Sequence, residues 1–136
     1  MDQNLLVTEQ IDEGRKIVDR CVAAGIDVPA AFWLRPSEDG HWYLYIATKV
    51  VEDKGLAAAF KAVLGEIRRL SPPPSLDSLG DLKVIGSTNP ITEDVLNIQS
   101  RYVTSLATRY RGNQLGNVSI EEAYIYPPRQ AARASV

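Results

Sequence analysis

The chain's only histidine, His41, heads the stretch GHWYLYIAT, Gly40 to Thr48, in which three aromatic residues fall within four positions. An imidazole changes charge near neutral pH, so His41 paired with a carboxylate such as Glu121 or Glu122 would suit general acid–base catalysis. Its place beside Gly40 at the mouth of a predicted hairpin equally describes an exposed turn residue, and no cysteine or acidic neighbour at metal-ligand spacing accompanies it. Glu121 and Glu122 are adjacent on a predicted strand, where neighbouring side chains diverge unless a bulge brings them together. Ser37, Ser71, Ser87 and Ser119 lack the context of a nucleophile elbow, and Gly80, Gly86 and Gly112 stand singly, without a phosphate loop or dinucleotide fingerprint. The segment VIGSTNP ends one predicted strand and opens a helix, so N–H groups near Thr88 to Ile91 can receive an anion, as many helix starts do without function. No catalytic residue, metal ligand or cofactor is therefore assigned, and a small enzyme built on His41 with Glu121 or Glu122 stays a minor alternative.

The aromatic residues offer a different chemistry, that of contact. With Trp42 to Val51 as a strand, Trp42, Leu44 and Ile46 share one face while Tyr43 and Tyr45 share the other. The last predicted strand, NVSIEEAYIYP, admits two readings. A bulge at Glu121 and Glu122 lets Val118, Ile120, Ala123 and Ile125 all face the core and turns Tyr124 and Tyr126 away. Plain alternation instead puts both tyrosines inside beside Ile120 and leaves Glu122 buried or on an edge. Under the bulge, Trp33, Tyr43, Tyr45, Tyr124 and Tyr126 form one aromatic sheet face, with Arg35 beside them. Tyrosine and tryptophan bury well yet keep a polar tip, which suits either a second core layer beneath the first helix or an interface. The expectation is a non-catalytic interaction or accessory module using that face, with a protein partner or as a homodimer. The alternative is a nucleic-acid binder that stacks bases on the same aromatics and draws charge from Arg101, Arg109 and Arg111.

These residues must be held by a chain of 136 residues, enough for one domain that buries roughly two-thirds of its unfolded surface. Hydrophobic residues at 45% and charged residues at 24% are ordinary for a soluble globular protein. Fifteen Lys and Arg against seventeen Asp and Glu exclude a surface that is basic throughout. A single cysteine, Cys21, makes no internal disulfide, and neither a signal peptide nor a membrane-length apolar run is apparent, so the expected setting is the cytoplasm.

Apolar residues from Leu6 to Val22 recur at helical spacing, with Asp2 as a cap and Gly25 as a stop. Ala30 to Arg35 and Trp42 to Val51 read as a hairpin around the turn residues Pro36 to Gly40. The stripe Leu56, Phe60, Val63, Leu64, Ile67 predicts a second helix, and Ser71 to Asp81, with three consecutive prolines, predicts a loop. LKVIG, Leu82 to Gly86, is a short strand. Asn89 and Pro90 open a third helix along Ile91, Val95, Ile98, Tyr102 and Leu106, with a stop at Gly112 and Asn113. The expected fold is α+β, one mixed four-stranded sheet with three helices in the order α-β-β-α-β-α-β. It occupies a single domain over 1–128, followed by a flexible tail over 129–136.

With its G-x-W-x-L-x-I-A strand at GHWYLYIAT and its closing strand IEEAYIY, the chain resembles a group of short uncharacterised bacterial proteins. The resemblance runs from about the first helix to Tyr126. It implies a shared fold and carries no activity or substrate with it.

Overall fold

The computed structural model describes residues 8–38, 40–70, 81–101, 107–111 and 114–127. The expected cap at Asp2, the loop over 71–80, the helical positions Tyr102 and Leu106, the stop at Gly112 and Asn113 and the tail over 129–136 lie outside these residues.

Helix α1, Thr8–Ala23, buries Ile17, Val18 and Cys21 on one side. It ends in a Schellman turn: Gly25 takes φ +91°, its N–H donates to the Val22 carbonyl, and the Ile26 N–H donates to the Cys21 carbonyl. Strand β1, Ala30–Pro36, pairs antiparallel with β2, Tyr43–Thr48. β1 is central and buried on both faces, which is why AAFWL shows no polar alternation. The buried Thr48 hydroxyl accepts the Val50 N–H and opens the short helix α2, Val50–Lys54. Gly55, at φ +97°, breaks α2 from α3, Leu56–Ile67. Strand β3, Leu82–Gly86, then runs parallel to β2, and α4, Pro90–Arg101, starts where Asn89 Oδ1 accepts the Ile91 N–H at 2.8 Å. The chain closes with β4, Thr108–Tyr110, β5, Gln114–Leu115, and β6, Val118–Ile125.

The sheet order is β3-β2-β1-β6-β4, with β5 paired to β6. The fold is α+β with a mixed sheet, as expected, but the described residues form six strands and four helices instead of four strands and three helices. The additional helix comes from Val50–Lys54, read from its β-branched residues as the end of a strand; Thr48 and Gly55 bracket it as a separate turn of helix. The additional strands are 108–110, expected within the last helix before its stop at Gly112, and 114–115, which lies between that stop and the last expected strand. Pairing with β6, of Arg109 with Tyr124 and of Leu115 with Val118, prevails there over local periodicity.

Two cores flank the sheet. α1 and α3 lie over one face, packing Ile17, Val18, Cys21, Ala59 and Val63 on Trp33, Leu44 and Ile46. Arg20 of α1 donates to Glu66 of α3 at 2.9 Å, joining these helices at the surface. α4 covers the other face, packing Ile91, Val95 and Ile98 against Phe32, Leu34, Ala123 and Ile125. Its start is fixed to the sheet by the Thr92 hydroxyl, which donates to the Gly86 carbonyl, and by Asp94, which accepts the Gly116 N–H. Among the described residues no helix is long and apolar enough to cross a membrane.

Candidate interaction site

The register through β1 divides the aromatic residues between the two faces. Trp33 pairs with Leu44 on one side and with Tyr124 on the other, whereas Phe32 pairs with Tyr45 and with Ile125. Partners directly opposite in a ladder share a face, so Trp33 and Tyr124 lie with Leu44 beneath α1, and Tyr43 and Tyr45 lie on the α4 side. β6 does carry an extra residue: Arg35 pairs with Glu122 and Pro36 with Ile120, leaving Glu121 bulged, and Val118, Ile120, Ala123 and Ile125 all join the α4-side core. The bulge thus turns Tyr124 and Tyr126 away from that core, but toward α1 instead of toward Tyr43 and Tyr45.

Beneath α1 the aromatics form a second core layer. Trp33 is 1% exposed, and its Nε1–H donates to the Tyr126 hydroxyl at 2.8 Å, which donates in turn to the Ile11 carbonyl at 2.7 Å. Burial pushes the Tyr126 phenol well above its ordinary range, so it stays neutral and serves as a relay between strand and helix. Gly14 lets α1 approach this closely, since a Cβ there would overlap the Tyr126 hydroxyl. Half-buried Tyr124 meets Tyr126 edge-on at 5.4 Å.

The charged candidates are distributed likewise. Arg109 lies over the Tyr124 ring, 5.1 Å from its centroid, and donates to Glu122 at 3.1 Å. Arg35 lies over Trp42 with Nη2 4.0 Å from the same carboxylate, and its Nε is buried without a partner among the described residues. Glu122 therefore answers two guanidiniums. Glu121 is exposed at the bulge, and His41 is exposed with its ring edge-on to Tyr43 at 6.3 Å, on the side of the sheet opposite Glu122. Arg101 ends α4, across the sheet from Arg109, and Arg111 follows β4; both are exposed. Among the described residues no three His, Cys, Asp or Glu side chains gather as metal ligands would.

The anion position at VIGSTNP is filled from within the chain. The Glu52 carboxylate accepts the Ser87 hydroxyl at 2.8 Å, the Ser87 N–H at 3.1 Å, the Thr88 hydroxyl at 3.1 Å and the Thr88 N–H at 3.3 Å. These bonds, the Ser87 hydroxyl foremost, hold Glu52 down at about 2.

What is left open is the outer edge of β3. Among the described residues no strand pairs with it, and a groove of about 790 Å³ follows it. Leu56, Ala57 and Phe60 of α3 wall one side with Leu82 and Val84, and Tyr45, Ile85 and Ile91 wall the other. Leu56 is 57% exposed, the large hydrophobic side chain that the described fold leaves in solvent. Tyr45 stacks on Phe32 at 5.3 Å, and Lys83, the groove's cation, lies over the Tyr43 ring at 5.0 Å. Of the expected contact residues, this site uses Tyr45, with Tyr43 at its margin. Leu56, Phe60, Val84 and Ile85 were not foreseen. Their signal was Lys83 in the middle of a short apolar strand, the composition of an edge.

No family model matches the chain, and no curated protein and no solved structure matches it either.

Proposed function

We propose that the protein is a non-catalytic interaction module that takes a protein partner along the β3 edge and its groove. The observation that carries this reading is a strand edge that no other strand among the described residues pairs with, and apolar walls on both faces of the sheet. Such an edge provides main-chain hydrogen bonds for an extended segment, and the walls receive its alternate side chains. The aromatic contribution comes from Tyr45 and Tyr43, while Trp33, Tyr124 and Tyr126 support the module by anchoring α1. A nucleic-acid partner has less support: Arg35 and Arg109 share Glu122, and Lys83 is laid over Tyr43. A cytoplasmic setting goes with this reading, supported by a single cysteine that packs in the core.

The test is photocrosslinking from a benzoylphenylalanine placed at position 83, compared with one at Lys16 on the exposed side of α1. A discrete protein–protein product from position 83, to this chain or another, and none from position 16 is the expected result. Equal labelling from both positions, or none from either, overturns the reading.

A further inference from the structure

We infer that the occupant of the β3 edge is the β3 edge of a second copy, joined antiparallel about a two-fold axis at Val84. The inference rests on the interaction-module reading and specifies its partner. An isologous pair built on this edge keeps the faces of the two sheets continuous, because residues directly opposite in an antiparallel ladder share a face. With the axis at Val84 all five residues of β3 pair, and Lys83 falls opposite Ile85 of the other copy. With the axis one residue earlier, Lys83 would oppose Lys83, a like-charge pair that destabilises a ladder. In the Val84 register the cation meets an aliphatic side chain, and its ammonium already rests on the Tyr43 ring. The strand that needs partners on both faces also supplies them, Val84 toward the α3 wall and Ile85 toward the Tyr45 wall. The opposite edge of the sheet is unsuited to this: β4 has three residues, and Arg109 at its centre is committed to Glu122 and Tyr124.

The register makes position 85 a charge test, read by sedimentation equilibrium of the full chain over a concentration series. Wild type is expected to be a dimer. Ile85→Lys sets two Lys–Lys pairs across the axis and should raise the dimer dissociation constant roughly tenfold or more. Ile85→Glu, which makes the same polar substitution in the fold, sets two Lys–Glu pairs and should dimerise at least as well as wild type. The double variant Lys83→Glu/Ile85→Lys restores opposite charges and should recover association, even where Ile85→Lys folds too poorly to be read. Dissociation of the Glu variant to the same extent as the Lys variant overturns the pairing. A wild-type monomer at the highest soluble concentration overturns it as well. In that event, a crosslink from position 83 to a different protein leaves the interaction module standing, and no crosslink at all removes both.

Discussion

Replacing Tyr126 by phenylalanine deletes one oxygen at the centre of the link between α1 and the sheet. That hydroxyl accepts from Trp33 at 2.8 Å and donates to the Ile11 carbonyl at 2.7 Å. In the variant the Trp33 Nε1–H, on a side chain 1% exposed, keeps its desolvation and loses its acceptor. An unsatisfied buried donor costs about 1–3 kcal/mol; the Ile11 carbonyl can still take its helical partner, so its loss adds little. The expected destabilisation is about 2 kcal/mol, equivalent to a fall in Tm of roughly 5–8 °C for a domain of this size. Gly14→Ala provides the complement. Ala should favour a helix over Gly by about 1 kcal/mol, yet here its Cβ meets the Tyr126 hydroxyl and crowds the Trp33 Nε1 at 2.9 Å. The single variant should therefore lose stability, and the double variant Gly14→Ala/Tyr126→Phe should lose less than the sum of the two, because removal of the oxygen relieves the overlap. Urea unfolding at an unchanged m-value measures all three. A Tyr126→Phe variant within about 0.5 kcal/mol of wild type, the range of an ordinary surface change, would refute the reasoning.

The carboxylate of Glu52 is held down at about 2 in the folded chain, below its ordinary unfolded value near 4.5. Its contribution to stability is therefore present above about 4.5 and is lost as pH falls toward 2. Glu52→Gln should flatten that part of the acid limb of a stability–pH curve, and identical limbs for the two proteins would count against the Ser87–Thr88 cradle. Burial, with Glu66 nearby, pushes the Cys21 thiol up to about 12. At pH 8 iodoacetamide should leave the native protein unmodified and label it only as urea unfolds it; labelling at the rate of a free thiol would refute the packing of Cys21 against β1 and α3.

Elements whose local chemistry and tertiary surroundings agree were legible in the sequence. LKVIG is β3 from Leu82 to Gly86, Pro90 begins a helix with Asn89 as its cap, and Gly25 stops α1. The bulge at Glu121 could be read as one of two options because only one extra residue reconciles Ile120 with Ala123 and Ile125. What stayed hidden depends on pairing at a distance. Parity places Tyr43 opposite Leu44 on one strand, and Tyr124 opposite Ile125 on another. Which face of one strand continues into which face of the other is decided by β1 between them, through Trp33 and Phe32. A shift of one residue in that register exchanges the faces, and the amphipathic pattern of each outer strand is the same either way. The short helix Val50–Lys54 was hidden for a related reason: a β-branched pair, Val50 and Val51, favours a strand until the Thr48 hydroxyl takes the Val50 N–H.

This explains why the proposed contact surface lies at the edge of the sheet and not on its face. With α1 and α3 on one side and α4 on the other, both faces of the sheet have cover, and aromatic side chains on either face pack against a helix layer. Trp33, Tyr124 and Tyr126 then act inward, through hydrogen bonds and edge-on packing, and their number says nothing about a partner. The two ends of the sheet differ in how they are closed. β4 is short and carries an arginine that is tied down, both of which discourage further pairing. β3 is longer, its one charge is folded back onto Tyr43, and α3 leaves Leu56 beyond the strand it covers, where another backbone would complete both the ladder and the apolar wall.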